Sequence, residues 1–284
     1  PDVQASGATR RLLRSFLSGP LDADKVDYLE RDSLHAGVPY GRSFDKARLI
    51  QSLCLNKEGD GLALAEKGKA ALLMLIYARF IMFSEVYFHH AVRSAVAMLQ
   101  RAVYDGCIST SRKLEAKDII NGSERGVMEM LVSCMTPAST GELASYLFGP
   151  TRRLYKRLRT YTEFREPKTL WRSLEPLPYV KRLQLGGLLA QRLSTETKHP
   201  FAPHHILIDV PPADKGTDSD VQLFYPDTVQ WLPLDTEAPA VFGLQLDQYR
   251  KSVRKVRVFV HGASLQQAEK ADVDALMADI LGGT

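Results

Sequence analysis

From about residue 66 to about residue 104 no proline interrupts the chain, and apolar side chains are too dense there for a helix with one wet face. The spacing predicts one long helix, buried in the middle of a mainly α-helical body. Its most apolar part, "ALLMLIYARFIMF" (71 to 83), is interrupted by Arg79 and is expected to be too short to span a bilayer, which takes about 20 apolar residues. The 284 residues are 45% hydrophobic and 25% charged, an ordinary globular balance with enough apolar side chains to cover such a helix.

Shorter segments flank it. A helix at 8 to 17 is ended by Gly19-Pro20, and Asp22 is placed to cap the next helix, which turns Val26, Leu29 and Ser33 inward. "HAGVPYGRSFD" reads as a loop before a short helix at 44 to 53, and "LCLNKEGDGLALAEKG" as a small hairpin. Further helices fit 115 to 135, 138 to 148 and 176 to 194. Composition changes near 197: strands are expected at 206 to 210, in "VQLFYP" and in "VRKVRVFVHG", with helices at about 237 to 251 and 265 to 281. The predicted organisation is a helical body over 1–195 and a small mixed α/β module over 196–284. Three scattered cysteines, Cys54, Cys107 and Cys134, match no zinc spacing and suit the reducing cytoplasm. A net charge of +4 permits an anionic ligand without demanding nucleic acid.

Four places carry candidate chemistry. On a helix starting at Asp22, the residues Asp24, Tyr28, Asp32 and His35 fall on one stripe, with Lys25 and Arg31 at its margins. That stripe is either a solvated face laced with ion pairs or a site, since carboxylate and imidazole suit a divalent cation and Lys suits a phosphate. In "ARFIMFSEVYFHHAVR", Arg79, Tyr87 and His90 share a broad face, and Arg79 sits among apolar neighbours. A buried Arg needs an anion, here Glu85, an acid of the earlier helix, or a phosphate held bidentately. "TRRLYKRLRTY" (151 to 161) reads as a basic helical face or, more sharply, as a phosphate or nucleic-acid contact. His199, His204 and His205 in "HPFAPHH" have no acidic or Cys neighbour in sequence, so that stretch reads as a loop.

Together these segments resemble the HD-domain phosphohydrolases, in particular the deoxynucleoside-triphosphate triphosphohydrolase branch that includes the bacterial dGTPase-like proteins. "LDADKVDYLERDSLHAGVPYG" is similar to that branch's "DADrlDYLlRDsyhtGv", and "VYFHHAVRSAVAML" to its "vYyHk" helix, with Arg79 eight residues before the Tyr. The order "ILIDVPP", "VQLFYP", "KVRVFVH" resembles its C-terminal region. The resemblance implies a helical HD body and residue roles. Asp24 is the last ligand of a His…His-Asp…Asp metal site, and Lys25 contacts the triphosphate. Tyr28 packs on the sugar, Asp32 accepts from its 3′-hydroxyl, Arg79 holds phosphate and Tyr87 closes the pocket. Phe88 stands where some relatives carry a polar residue that bears on base recognition.

The resemblance also implies a divalent metal cofactor, be it Mn, Mg, Fe, Ni or Zn, a nucleotide substrate and a homo-oligomer of two or more copies, with no membrane partner. Yet the sequence contains no His-Asp dipeptide, and its first His is His35. Three of the four expected ligands are absent, and the chain opens at Pro1 without Met, so they are expected to lie upstream of it. The expected function is metal-dependent hydrolysis of a deoxynucleoside triphosphate or related phosphoester, with release of triphosphate. The alternative is a non-catalytic nucleotide-binding module for regulation or oligomerisation.

Overall fold

The computed structural model describes residues 7–19, 21–108, 117, 120, 122–133, 138–165, 167–212, 221–239 and 253–282. The predicted helix at 237 to 251, Cys134 and part of the predicted helix at 115 to 135 fall largely or wholly outside them. In chain order the elements are α1 (Gly7–Ser18), α2 (Ala23–Ala36), α3 (Lys46–Gln51), β1 (Leu53–Leu55), β2 (Leu62–Ala65), α4 (Lys69–Met82), α5 (His90–Ile108), α6 (Glu124–Val132) and α7 (Ala138–Phe148). Then come β3 (Lys156–Tyr161), α8 (Lys168–Leu174), α9 (Tyr179–Thr197), β4 (Ile206–Asp209), β5 (Gln222–Tyr225), β6 (Gln230–Pro233), α10 (Leu234–Glu237), β7 (Val256–Val260), α11 (Leu265–Ala268) and α12 (Val273–Gly282). The fold is mainly α, as expected, with two small sheets.

The chain divides into two compact units, one made of Pro1–Tyr87 and Ala213–Val253, the other of Phe88–Pro212 and Arg254–Thr284. The compositional change near 197 thus falls inside the second unit, and the strands beyond it serve both sheets.

In the first unit β1 and β2 form the predicted hairpin, pairing Leu53 with Leu64. Its turn is held by Asn56, whose Oδ1 accepts from the backbone N–H groups of Asp60 (2.8 Å) and Gly61 (3.0 Å). β2 then pairs in parallel with β5, and β5 antiparallel with β6. Leu72, Leu75, Ile76 and Met82 of α4 pack with Leu29, Leu64 and Leu223, each nearly or fully buried. Each such side chain contributes about 1.5–3 kcal/mol by leaving water. The helical stretch Glu66–Tyr87 runs 22 residues, longer than its apolar run suggested, and is long and apolar enough to cross a membrane by length and composition alone. Its inner face is occupied by this core.

The predicted single helix from 66 to 104 is two helices. At Phe83–Tyr87 the backbone widens into a π turn, and α5 begins anew at His90. A π turn inserts an extra residue into the helical repeat and rotates the side chains beyond it. No Pro or Gly marks the place, so the pattern of apolar positions could not reveal it.

In the second unit β3, β7 and β4 form an antiparallel sheet in that order. Alternate strand residues face opposite sides. Val256, Val258 and Val260 pack with α8, α9 and α12, whereas Phe259 packs with α5 and α7. Covered on both faces, β4 and β7 are buried throughout, which explains their unbroken apolar runs.

Candidate functional site

The first candidate site is built on α2. Asp22 caps it as expected: its side chain accepts from the Lys25 backbone N–H at 2.8 Å. Gly37 ends the helix in the left-handed conformation (φ 67°), where Gly carries no steric penalty. A second glycine secures the loop beyond it, because a Cβ on Gly41 would stand 2.0 Å from the Leu29 carbonyl oxygen. Leu29 and Ser33 are buried as predicted and Val26 is partly buried, leaving Asp24 and His35 exposed and Tyr28 and Asp32 half-buried.

Lys25 does not lie free on this helix. Its Nζ donates to Asp22 Oδ2 and to the Gly19 carbonyl, both at 2.7 Å. An ammonium has three donors, and among the described residues these two bonds use two of them. Arg31 pairs with Asp27, which realises part of the solvated-face reading on the same helix.

The π turn brings the second segment to α2. Tyr87 O–H donates to Asp32 Oδ2 at 2.9 Å, across 55 residues of sequence. The Tyr87 ring stands edge-on to Tyr28 (centroids 6.0 Å apart) and to Phe83 (5.0 Å). Arg79, one turn before Phe83, holds its guanidinium 5.4 Å from that ring. Burial, reinforced by the Asp32 carboxylate, pushes the Tyr87 phenol well above its ordinary value, so it stays protonated as a donor. The structure therefore joins Tyr28, Asp32 and Tyr87 directly and links Arg79 to them through Phe83. Phe88 is buried beside Arg93, whose guanidinium lies 5.5 Å from its ring.

Asp24 stands apart. Among the described residues, the group of three or more His, Cys, Asp or Glu side chains close enough to share an ion is Glu142, His204 and His205. It does not include Asp24. Among the described residues, no such group forms around the Asp24 carboxylate.

That other group belongs to the second unit: its histidines fall in the stretch read as a loop, and Glu142 in the helix expected at 138 to 148. His204 Nε2 and Glu142 Oε2 are 2.7 Å apart although 62 residues separate them. Tyr146, one turn after Glu142 on α7, donates to Glu142 Oε1 at 3.1 Å, and His261 Nε2 lies 3.2 Å from the Tyr146 hydroxyl. Burial pulls the Glu142 carboxyl upward, but the bonds from His204 and Tyr146 outweigh it and hold it below the usual carboxylate range. Burial, together with His204 and His261, lowers His205 to about 4.

The basic run 151 to 161 is not a helix. Residues Lys156–Tyr161 are β3, with Leu158 and Tyr161 turned into the core and a bulge between Arg157 and Arg159. Pairing with the apolar strand β7 outweighs any helical preference of these residues. Arg152, Arg153 and Lys156 line a cleft of about 530 Å³ with Tyr146 and His261.

A family model described as the HD-associated region matches residues 44–281. The chain belongs to the HD-associated family, so the expected affiliation with HD-domain proteins holds at that level. It is 34% identical over 244 residues to an uncharacterised protein of Methanocaldococcus jannaschii, MJ1154, covering 85% of this chain and 49% of that protein. It is 36% identical over 103 residues to YwfO of Bacillus subtilis, also uncharacterised, covering 36% of this chain and 23% of that one. A hypothetical protein of Aquifex aeolicus shares the fold at a TM-score of 0.61 and 19% identity, over 91% of this chain and 59% of that one. A Bacteroides thetaiotaomicron phosphohydrolase does so at 0.56 and 19%, over 89% and 64%. The chain spans about half the length of the archaeal relative.

Proposed function

We propose that this chain forms the nucleotide-binding portion of a metal-dependent phosphohydrolase acting on deoxynucleoside triphosphates or a closely related phosphoester. The observation that carries this reading is the Tyr87–Asp32 hydrogen bond beside the Tyr28 ring. It sets a half-exposed carboxylate beside two tyrosine rings, an arrangement that suits a sugar with a free hydroxyl. Tyr87 occupies one oxygen of Asp32, and Arg31 Nε stands 3.7 Å from the other, beyond hydrogen-bond reach, so Oδ1 remains an acceptor for a 3′-hydroxyl. Tyr28 then packs on the sugar face. Lys25, with its third donor, and Arg79 offset charge on the phosphate oxygens. The motif resemblance and the Bacteroides phosphohydrolase of like fold support the same class.

A divalent metal supplies, in such enzymes, a water of lowered pKa and a polarised phosphoryl oxygen. Of the metal ligands that the resemblance implies, the described residues carry Asp24; the second reading is a nucleotide-binding regulatory or oligomerisation module without turnover. The test uses the complete gene product with deoxynucleoside triphosphates and Mn²⁺, Mg²⁺ or Fe²⁺, following triphosphate release and nucleotide binding separately. Release that is lost in Asp24→Ala supports the enzyme. Binding without release supports the module, and full activity in Asp24→Ala rejects the metal role of Asp24. Homo-oligomerisation is part of the proposal and is read from the mass of the particle in solution.

A further inference from the structure

We propose that Glu142, His204 and His205 form a binding site for a divalent transition-metal ion, Zn²⁺ or a close chemical relative, separate from any metal held by Asp24. Their ligand atoms all lie within 4.8 Å of one another. Two imidazoles and one carboxylate are a donor set that Zn²⁺, Fe²⁺ and Co²⁺ accept, with positions left open for water. In a tetrahedral zinc site neighbouring ligand atoms stand roughly 3.3 Å apart. The ion therefore spreads the His204–Glu142 pair from 2.7 Å and draws in the wider separations.

Local structure prepares the three ligands. His204 and His205 lie in a 3₁₀ turn, Pro203–His205, with their ring centroids 4.7 Å apart. The turn is anchored at once by β4, and the His205 carbonyl accepts from the His261 N–H at 2.9 Å. His205 is stacked on His261 at 4.8 Å, which restrains its ring, and Tyr146 orients Glu142. Such outer partners fix ligand geometry in metal sites. Tyr155, whose ring stands edge-on to His261 at 5.5 Å, is 3% exposed, and its hydroxyl has no hydrogen-bond partner among the described residues. A buried hydroxyl left unpaired is costly, which favours a polar ligand in its neighbourhood. When the ion binds, it displaces the proton between His204 Nε2 and Glu142 Oε2. That proton moves to Nδ1 from a neutral ring or leaves to solvent from a charged one.

This site stands whether or not the chain hydrolyses nucleotides. The test is titration of the chelator-treated chain with Zn²⁺, and with Co²⁺ read by its visible absorption. One saturable equivalent is expected that survives Asp24→Ala, while His204→Ala and His205→Ala each weaken it by roughly tenfold or more. Tyr146→Phe, which keeps the ring, should weaken it less than either. X-ray absorption of the zinc-loaded, unmodified chain reads two imidazoles directly and does not depend on any variant folding. Absence of saturable binding, binding indifferent to both histidines in folded variants, or a spectrum without imidazole scattering each overturns the assignment.

Discussion

Tyr87 O–H meets Asp32 Oδ2 at 2.9 Å although the two lie on different helices and 55 residues apart. The bond depends on the π turn, which aims Tyr87 at α2. Removing only the hydroxyl, in Tyr87→Phe, leaves the edge-on contacts with Tyr28 and Phe83 intact. Asp32 is half-buried and can rehydrate, so the expected loss is about 0.5–1.5 kcal/mol. A lowered urea midpoint with unchanged slope, and weaker nucleotide binding, are the readouts. A midpoint equal to that of the unmodified chain would show that the bond contributes nothing.

Asp22 does two things at once. Its carboxylate caps α2 and also holds Lys25 Nζ. Asp22→Ala should cost about 1–2 kcal/mol through the lost cap, while Asp22→Asn keeps the cap and removes only the ion pair. Thermal denaturation of both variants separates the two contributions. Equal losses in Ala and Asn would mean that the cap itself is unimportant.

A buried ion pair anchors α5 to β4. Arg93 donates to Asp209 through Nε at 2.9 Å and Nη2 at 2.5 Å, and the two side chains are 7% and 1% exposed. Arg257, opposite Asp209 in the sheet, is also buried, with Nε and Nη1 unbonded among the described residues. Asp209 thus offsets more than one cation. Losing one partner of a buried pair costs about 3–5 kcal/mol, because the other is left uncompensated. Asp209→Asn should therefore destabilise more than Arg93→Met. Chemical denaturation ranks the two, and the reverse order would contradict this account.

The parts of this architecture that were readable in the sequence are the local ones. The Asp22 cap, the inward Leu29 and Ser33, the hairpin around Asn56 and the helices at 138 to 148 and 176 to 194 all rest on side chains a few residues apart. Tyr28 and Asp32 came out on the same helical face for the same reason. The features that escaped depend on distant segments meeting. The π turn at Phe83–Tyr87 leaves the apolar pattern intact. The run at 151 to 161 is a strand because β7 is there to pair with it. His204 lacked an acidic neighbour in sequence, and Glu142 reaches it only through the packing of α7.

Acid should destabilise the fold through His205. Burial, with His204 and His261 adding, lowers His205 to about 4 in the folded chain, against an ordinary value near 6.5. His199 acts in the same direction and Glu142 against it. Between those two pH values the unfolded chain binds a proton at His205 that the folded chain refuses. Unfolding then takes up protons, so stability is complete above about pH 6.5 and falls as pH drops toward about 4. Below that both states are protonated and this contribution is flat. His261 and His90 are lowered too, again chiefly by burial, and act in the same direction. His205→Gln removes one titrating group while keeping a polar side chain. Urea midpoints measured from pH 7 to pH 4 in the presence of a chelator should fall less steeply in His205→Gln than in the unmodified chain. Parallel curves would show that His205 titrates alike in the folded and unfolded states.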